Sequence, residues 1–282
     1  MSWITGLAFV FFAPFVGGLI AGFDRKITAR LQGRIGPPIL QPFYDVGKLL
    51  QKDNLVVRRS QHLYTEFFFV LTIFTGALFF AGGDLLLVIF SLAMAGVFFA
   101  LGGYKASSPY SFIGAQREVL QMVSYEPAVL LAAVGMYMVT GSFKVSVIAA
   151  YPKPLVMLLP GIFFAFFFIL PVKFRKSPFD LSTSHHAHQE IVKGITTEIS
   201  GKTLALVEIA HWYEYVFVLG MGYLFFASNI WLGLVMTFVI FELLLVVDNS
   251  TARVRWQAMM ASSWIVALVA GGLNILYLML RH

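Results

Sequence analysis

Cysteine is absent from the 282-residue sequence. Without thiolates, the chain cannot hold an iron–sulfur cluster through cysteine ligands, and it cannot form a disulfide. We therefore expect any redox centre that works with this chain to belong to a partner.

Charged residues are also scarce. They make up 12% of the sequence, against about 25% in soluble domains, while 59% of the residues are hydrophobic and 16% are aromatic. This composition excludes an ordinary soluble domain and predicts an integral membrane protein. The net charge of +6 does not indicate nucleic-acid binding, because the basic residues lie between apolar stretches, where membrane orientation explains them.

Eight apolar stretches approach the length of about 20 residues that crosses the hydrocarbon core as a helix. They lie at residues 3–23, 67–83, 85–104, 119–143, 155–172, 203–227, 230–247 and 256–280. Asp84 and Asn229 leave room only for tight turns between neighbouring stretches. The sequence therefore predicts an all-α integral membrane protein, a single polytopic domain over 1–282 of about eight transmembrane helices, including two hairpins.

The basic residues are unevenly distributed between the two ends of these spans. If successive loops alternate sides, 17 of the 20 Lys and Arg residues fall on one side, and Lys144, Lys153 and Arg281 fall on the other. Basic loops stay in the cytoplasm under the positive-inside rule. We predict a multi-pass protein of the cell (inner or cytoplasmic) membrane, with both termini outside and the long loops cytoplasmic.

A short amphipathic segment follows the first span. Residues 36–38, Gly-Pro-Pro, cannot continue a helix, and apolar residues then recur at helical spacing at Phe43, Val46, Leu49 and Leu50. This pattern predicts a short helix along the membrane interface. A loop helix packed on protein fits the pattern equally well.

The longest polar stretch, residues 173–201, separates the fifth and sixth predicted spans. Ten of its 29 residues are ionisable, whereas the only acidic or basic residues in the flanking spans are two glutamates. A loop this polar between two spans must contact water or protein. We interpret it as a long polar cytoplasmic loop that couples the chain to other parts of an assembly.

Acidic residues dominate the charges within or beside the spans. Even a mild insertion scale puts a central charge at about 2.5–3.5 kcal/mol, and carboxyl groups in apolar surroundings can exchange protons near neutral pH. The set is therefore a candidate proton pathway. Its members are Glu118, Glu126, Glu208, Glu214 and Glu242, together with His211, which is three residues from both Glu208 and Glu214.

Structural roles for the same residues stay open. A glutamate can pair with an arginine, as Glu118 could with its neighbour Arg117, and His211 could make an ordinary hydrogen bond between helices. Pro127 has no amide hydrogen, so a helix through it should leave the carbonyl one turn earlier without its usual partner. We expect this gap to admit water beside Glu126.

A histidine-rich run lies inside the polar loop. Imidazole and carboxylate groups ligate zinc, and the run supplies His185, His186, His188 and Glu190. Their spacing is not that of a closed zinc site, and no fourth ligand is evident. We therefore predict no metal site and interpret the run as contacts to a partner subunit or as proton-exchanging groups.

Several motifs resemble the NuoH-type membrane subunit of respiratory complex I, over almost the whole chain. They are GRIGPP at 33–38, QPFYDVGKLLQK at 41–52, SYEP at 124–127, PFDL at 178–181 and EISG at 198–201. Within that superfamily, residues 182–202 are similar to the corresponding subunit of group 4 energy-converting nickel–iron hydrogenases of the Ech type (EchB).

This resemblance implies a non-catalytic, membrane-anchoring and ion-coupling subunit. The implied partners are membrane lipid, hydrogenase large and small subunits, a ferredoxin-like iron–sulfur subunit and an antiporter-like membrane subunit, with the nickel–iron centre and iron–sulfur clusters in those partners. The implied reaction links ferredoxin oxidation and proton reduction to H2 with H+ or Na+ translocation. By motif, Glu126 and Asp180 match acidic positions of the family, and Glu190 and Glu198 match acidic residues of its docking loop.

Two departures from the complex I pattern keep other functions open. Residues 36–38 read Gly-Pro-Pro where complex I subunits usually read Gly-Pro-Asn, and the histidine-rich run replaces an acidic run beside the quinone chamber. A quinone-site subunit of complex I or a related oxidoreductase is the first alternative. A stand-alone secondary transporter is the second, and it predicts inverted repeats, which we do not find in the sequence.

Overall fold

The structure, a computed structural model, describes residues 3–54, 58–183 and 191–281. Over these residues the protein is helical and has no β-strand, although isolated bridges join Asp84 to Lys144 and Phe179 to Val254. The prediction of an all-α protein is confirmed.

Eleven α-helices make up the described part of the chain. They are α1 (Trp3–Leu31), α2 (Gln41–Gln51), α3 (Arg59–Phe80), α4 (Leu85–Tyr104), α5 (Pro109–Thr140), α6 (Val145–Ala149), α7 (Pro160–Lys173), α8 (Gly201–Leu224), α9 (Ile230–Ser250), α10 (Trp256–Val266) and α11 (Gly272–Arg281). A π-helical segment, Ala267–Gly271, joins α10 to α11, so that the chain forms one apolar helix over Trp256–Leu280.

Seven of the described helices are long and apolar enough to cross a membrane: α1, α3, α4, α5, α8, α9 and the joined α10–α11 helix. The predicted fifth span, 155–172, is shorter than expected. Its first residues form a 3-10 turn, Leu155–Met157, and α7 begins only at Pro160. At 14 residues, α7 is about 21 Å long.

The two predicted hairpins are present, and polar side chains cap the helix after each turn. Asp84 accepts hydrogen bonds from the amides of Leu86 (2.9 Å) and Leu87 (3.3 Å) at the start of α4. Asn229 does the same for Trp231 (2.9 Å) at the start of α9. Such caps satisfy amides that have no partner inside the helix.

The fourth span differs from the prediction in its boundaries. The apolar pattern predicts a start at residue 119, but α5 begins at Pro109, since proline is well suited to the first turn of a helix. The helix also continues through Pro127 to Thr140. Glu118 and Glu126 therefore lie inside a 32-residue helix instead of at the start of a span.

Helix α2 confirms the predicted short helix at 41–52. Val46 is buried, and Phe43 packs on Trp212 of α8 with ring centroids 5.1 Å apart. The apolar face of α2 is therefore packed on protein, as the alternative interpretation held.

Small residues allow the long helices to approach closely, as is usual between membrane helices. A Cβ atom on Gly17 of α1 would overlap the carbonyl oxygen of Trp212 in α8. A Cβ atom on Gly161 of α7 would overlap the carbonyl oxygen of Ala270. A side chain at either position would push the two helices apart.

The basic loops meet at one end of the bundle. There the Asp180 amide bonds to the Val254 carbonyl (3.2 Å), and the Thr203 amide bonds to the Asn54 side chain (3.3 Å). At the other end, the Val156 amide bonds to the Phe225 carbonyl (3.1 Å). Helix α7 therefore connects the two ends of the bundle.

Candidate functional site

One face of α5 supplies the first wall of a polar site. Glu118, Gln121 and Tyr125 are spaced three and four residues apart, so they lie above one another on the same side of the helix. All three residues are buried. A buried carboxyl group, amide and phenol in one row indicate a polar interior at this level of the bundle.

The end of α7 supplies the second wall. The Lys176 amide bonds to the Pro171 carbonyl (2.8 Å) and the Arg175 amide to the Val172 carbonyl (3.2 Å), which is the pattern of a Schellman motif. Arg175 has φ +56°, a left-handed conformation in which glycine is the usual residue. The helix end thus holds an arginine where glycine would be easier, and this conformation directs its side chain to α5.

Arg175 and Glu118 form an ion pair at the centre of the site. Arg175 donates from Nη2 to Glu118 Oε1 (3.1 Å), from Nη1 to Oε2 (3.4 Å) and from Nη1 to the Thr183 hydroxyl (2.9 Å). The Ser182 hydroxyl also donates to Glu118. The side chains of Arg175 and Glu118 are only 12% and 9% exposed, so water screens the pair little.

Burial alone would lower the pKa of the Arg175 guanidinium, because a low-dielectric environment disfavours the charged form. The negative charges of Glu118 and Glu214 act in the opposite direction, and the net effect raises the pKa of Arg175. Arg175 is therefore a permanent positive charge at this site.

A small cavity lies beside the ion pair, with room for about one water molecule. Its polar lining includes Glu118, Tyr125, Lys173, Arg175 and Glu214. Two carboxyl groups thus face two cations, and the Lys173 ammonium also lies 3.8 Å from the centre of the Tyr125 ring. The arrangement can hold one proton-carrying water between groups that gain and lose protons.

Arg117 does not pair with its sequence neighbour Glu118. Its guanidinium lies 3.4 Å from the Asp180 carboxylate and 5.2 Å from the centre of the Trp256 ring. The suggested pairing of Glu118 with Arg117 is therefore wrong in its partner, because successive residues on a helix face different directions. Asp180 is buried and holds the polar loop onto α5.

A second group of charges joins three parts of the chain. Lys176 lies 2.5 Å from Asp24 of α1 and 3.2 Å from Asp248 of α9. Asp248 also accepts a hydrogen bond from the Ser177 amide (2.8 Å). This group fastens the loop after α7 to the ends of α1 and α9.

Glu126 is half-buried on α5, outside the central ion pair. Among the charged groups, Lys173 is the cation that acts on it. The expected gap at Pro127 is present, but it is filled by protein: the Trp264 indole donates a hydrogen bond to the Val123 carbonyl (3.0 Å). The free carbonyl therefore ties α5 to α10 instead of admitting water.

The other acidic candidates lie apart from this cluster. Glu208 is half-buried on α8, and Glu242 is half-buried on α9. Glu198 lines a separate small pocket with Arg58 and residues at the start of α8. Buried His211 packs between Phe68 and Phe99, with ring centroids 6.0 and 6.1 Å away.

The histidine-rich run cannot be placed in this site. His185, His186, His188 and Glu190 lie outside the described residues. Within the described residues there is no group of three or more His, Asp or Glu side chains that could hold a metal ion.

Several residues that build the site have no role in the sequence interpretation. Arg175, Lys173 and Lys176 count there only as basic residues of a loop, and Tyr125 and Asp248 are not among its site residues. A usable signal is the run of three cations at positions 173, 175 and 176 opposite unpaired acidic residues in the spans. Charges near a membrane core are expected to find partners.

Comparison with known proteins agrees with the fold and with this polar interior. The profile of the family described as NADH dehydrogenase matches residues 4–279. A membrane protein of Brevibacillus brevis, the NuoH-type subunit of its NADH-quinone oxidoreductase, is 30% identical over 325 residues, covering 98% of this chain and 93% of that protein. Hydrogenase-4 component C of Escherichia coli is 31% identical over 209 residues, covering 67% and 64%.

A solved structure is similar over the full length. A chain of the membrane-bound sulfane sulfur reductase, an archaeal respiratory membrane complex, matches with a TM-score of 0.84 and 26% sequence identity, covering 98% of both chains. The chain therefore belongs to the NADH dehydrogenase family, as a NuoH-like membrane subunit of complex I-type or hydrogenase-4-type complexes.

Proposed function

We propose that this chain is the membrane-anchoring, ion-coupling subunit of an Ech-type energy-converting hydrogenase. In this role it links ferredoxin oxidation and proton reduction to H2, carried out in partner subunits, to translocation of H+ or Na+. The nickel–iron centre and iron–sulfur clusters belong to those partners, namely the large and small hydrogenase subunits and a ferredoxin-like subunit, and an antiporter-like subunit lies beside the chain in the membrane.

The observation that supports this role best is the buried pair of Glu118 and Arg175. It joins a polar loop at one end of the bundle to a carboxyl group inside a membrane-spanning helix. A charge change in a catalytic arm docked on residues 173–201 would act first on this loop. The loop would pass the change to Glu118 through Arg175, and to Glu214 across the shared cavity.

The chemistry asked of the chain is proton exchange. Glu118 and Glu214 face Lys173 and Arg175 around a space for one water molecule. If the Arg175 contact weakens, Glu118 gains a proton more readily, because an adjacent cation favours the ionised form. Glu126 is the entry point from the loop side, while Glu208, His211 and Glu242 extend the candidate pathway along α8 and α9.

The placement in the membrane follows from the same proposal. The loop end, with its excess of Lys and Arg, faces the cytoplasm under the positive-inside rule. Helix α7 is the eighth crossing, since it connects the two ends of the bundle, with Lys173 reaching the polar loop. Its short length is compensated by the 3-10 turn at Leu155–Met157, which continues the crossing.

Glu126→Gln tests the coupling role, because it keeps the shape of the side chain and removes its titration. We expect the variant to assemble and to evolve hydrogen from an artificial electron donor at a near wild-type rate. Ferredoxin-driven ion pumping into inverted vesicles should fall by at least about tenfold. Glu66→Gln is the matched control, because Glu66 is an exposed glutamate on α3 that lies 3.4 Å from His62.

Two results would contradict the proposal. Unchanged pumping in Glu126→Gln would remove Glu126 from the pathway. A parallel loss of assembly, hydrogen evolution and pumping would show that Glu126 is structural.

A quinone-site subunit is the second candidate function. It is supported by similarity to proteins named as subunits of NADH-quinone oxidoreductase, which include bacterial relatives at 28–30% identity. Purified complex that reduces a short-chain quinone, with inhibition by quinone analogues and without hydrogen evolution, would favour this function over the hydrogenase role.

A further inference from the structure

Glu242 lies near the middle of α9, one of the long apolar helices. Twelve residues separate it from Ile230 and eight from Ser250, which correspond to about 18 and 12 Å along the helix axis. A glutamate side chain is too short to bring its carboxyl group to either end of the helix. The carboxyl group therefore stays within the hydrocarbon region.

The other glutamates near the centre of the bundle have charged neighbours within this chain. Glu118 bonds to Arg175, and Glu214 shares a cavity with Lys173 and Arg175. Over residues 3–54, 58–183 and 191–281, Glu242 has no hydrogen bond and no ion pair. A polar group without a partner in lipid is costly, because lipid tails cannot form hydrogen bonds.

The surroundings of Glu242 show which way it faces. Trp231, Val235, Phe238 and Val246 are 75%, 57%, 62% and 50% exposed, and their spacing places them with Glu242 on one side of the helix. The opposite side carries the buried residues of α9 and packs on α1, α7 and α8. Glu242 is thus the polar centre of an outward apolar face.

We propose that this outward face of α9 is the interface for a transmembrane helix of a neighbouring subunit. That helix donates a hydrogen bond to Glu242 from a cationic, amide or hydroxyl side chain at the same depth. Charge and hydrogen-bond complementarity select this occupant, since neither acyl chains nor an all-apolar helix supplies a donor. The inference rests on the proposed function only for the existence of a membrane subunit beside this one.

Photo-crosslinking in the intact complex tests where the neighbour lies. A benzophenone amino acid is placed singly at Phe238 and at Val246, one turn on either side of Glu242. The matched control is Leu243, which is 48% exposed but about 100° around the helix. We expect both test positions to give an adduct with another membrane subunit, identified by mass spectrometry, and several times more of it than position 243.

Substitution at Glu242 tests the hydrogen bond itself. Glu242→Gln keeps a polar side chain and should retain the neighbouring subunit during purification. Glu242→Leu removes the acceptor and should lower recovery of that subunit by about three- to tenfold. If α9 faced lipid instead, Glu242→Leu would be neutral or would improve stability.

Each other outcome overturns a defined part of the reasoning. Adducts with lipid alone at 238 and 246, an adduct of twice the mass of this chain, or full recovery with Glu242→Leu would overturn the interface. If no other membrane subunit co-purifies with the wild-type chain, the proposed function and the interface both fail.

Discussion

The ion pair between Arg175 and Glu118 gives the sharpest prediction for stability. Arg175→Met removes both contacts to Glu118 and the bond to Thr183. It leaves Glu118 and Glu214 facing Lys173 as the one remaining cation of the cavity lining. Removing one partner of a buried pair leaves an uncompensated charge, and we expect a loss of about 3–5 kcal/mol in the free energy of unfolding.

An exposed pair in the same chain provides the comparison. Arg25 and Asp45 are 2.7 Å apart, closer than the 3.1 Å of the buried pair, but their side chains are 44% and 39% exposed. Solvent screening limits such pairs to about 1 kcal/mol or less. Arg25→Met should therefore cost much less than Arg175→Met, although the contact that it removes is shorter.

The double variant Glu118→Gln with Arg175→Met separates charge from packing. Removing the stranded carboxylate should recover much of the lost stability, with a coupling of about 0.5–3 kcal/mol. The free energies come from SDS titration in mixed micelles followed by tryptophan fluorescence. Equal losses for Arg175→Met and Arg25→Met, or simple additivity in the double variant, would refute the assignment of Glu118 and Arg175 as a buried, coupled pair.

Three further predictions concern the ties between helices and the orientation of the chain. Lys176→Met leaves two carboxylates without their shared cation, so we expect a loss of several kcal/mol by the same titration; a loss below about 1 kcal/mol would show that water already compensates them. Trp264→Phe removes the bond to the Val123 carbonyl and should cost about 0.5–1.5 kcal/mol; a neutral result would mean that another donor replaces the indole. Single cysteines at Ser60 and Ser228 in this cysteine-free chain should react with an impermeant thiol reagent from the cytoplasmic and the outer side respectively, and the reverse pattern would invert the topology.

Local signals account for most of what the sequence predicted correctly. Long apolar stretches form helices because a backbone in lipid must satisfy its own hydrogen bonds. Asp84 and Asn229 begin helices because their short side chains accept from first-turn amides. These features depend on neighbouring residues only, so one sequence suffices to find them.

Helix boundaries were harder to predict, because hydropathy locates the apolar part of a helix and not its ends. Polar residues 109–118 belong to α5, although an apolar window excludes them. Conversely, the apolar stretch that begins at Leu155 contains Pro160, and α7 begins only there. In both cases proline chemistry fixed the first turn where the apolar pattern pointed elsewhere.

The partners of the site residues could not be read from one sequence. Glu118 meets Arg175 across 57 positions, and Asp24 and Asp248 share Lys176 from opposite ends of the chain. A lysine or arginine after an apolar span is also the ordinary signal for a cytoplasmic loop. The same residues therefore predicted orientation, and their contacts emerged only from the packing of the helices.

The loop after α7 has a mechanical consequence. Over residues 175–180 it is bonded to α1 and α9 through Lys176, to α5 through Arg175 and Asp180, and to the segment before α10 through the Asp180 amide. A strap tied at so many points cannot yield at one of them alone. A pull on this strap would be felt at the ends of four membrane helices together, as a rigid lever moves all its load at once.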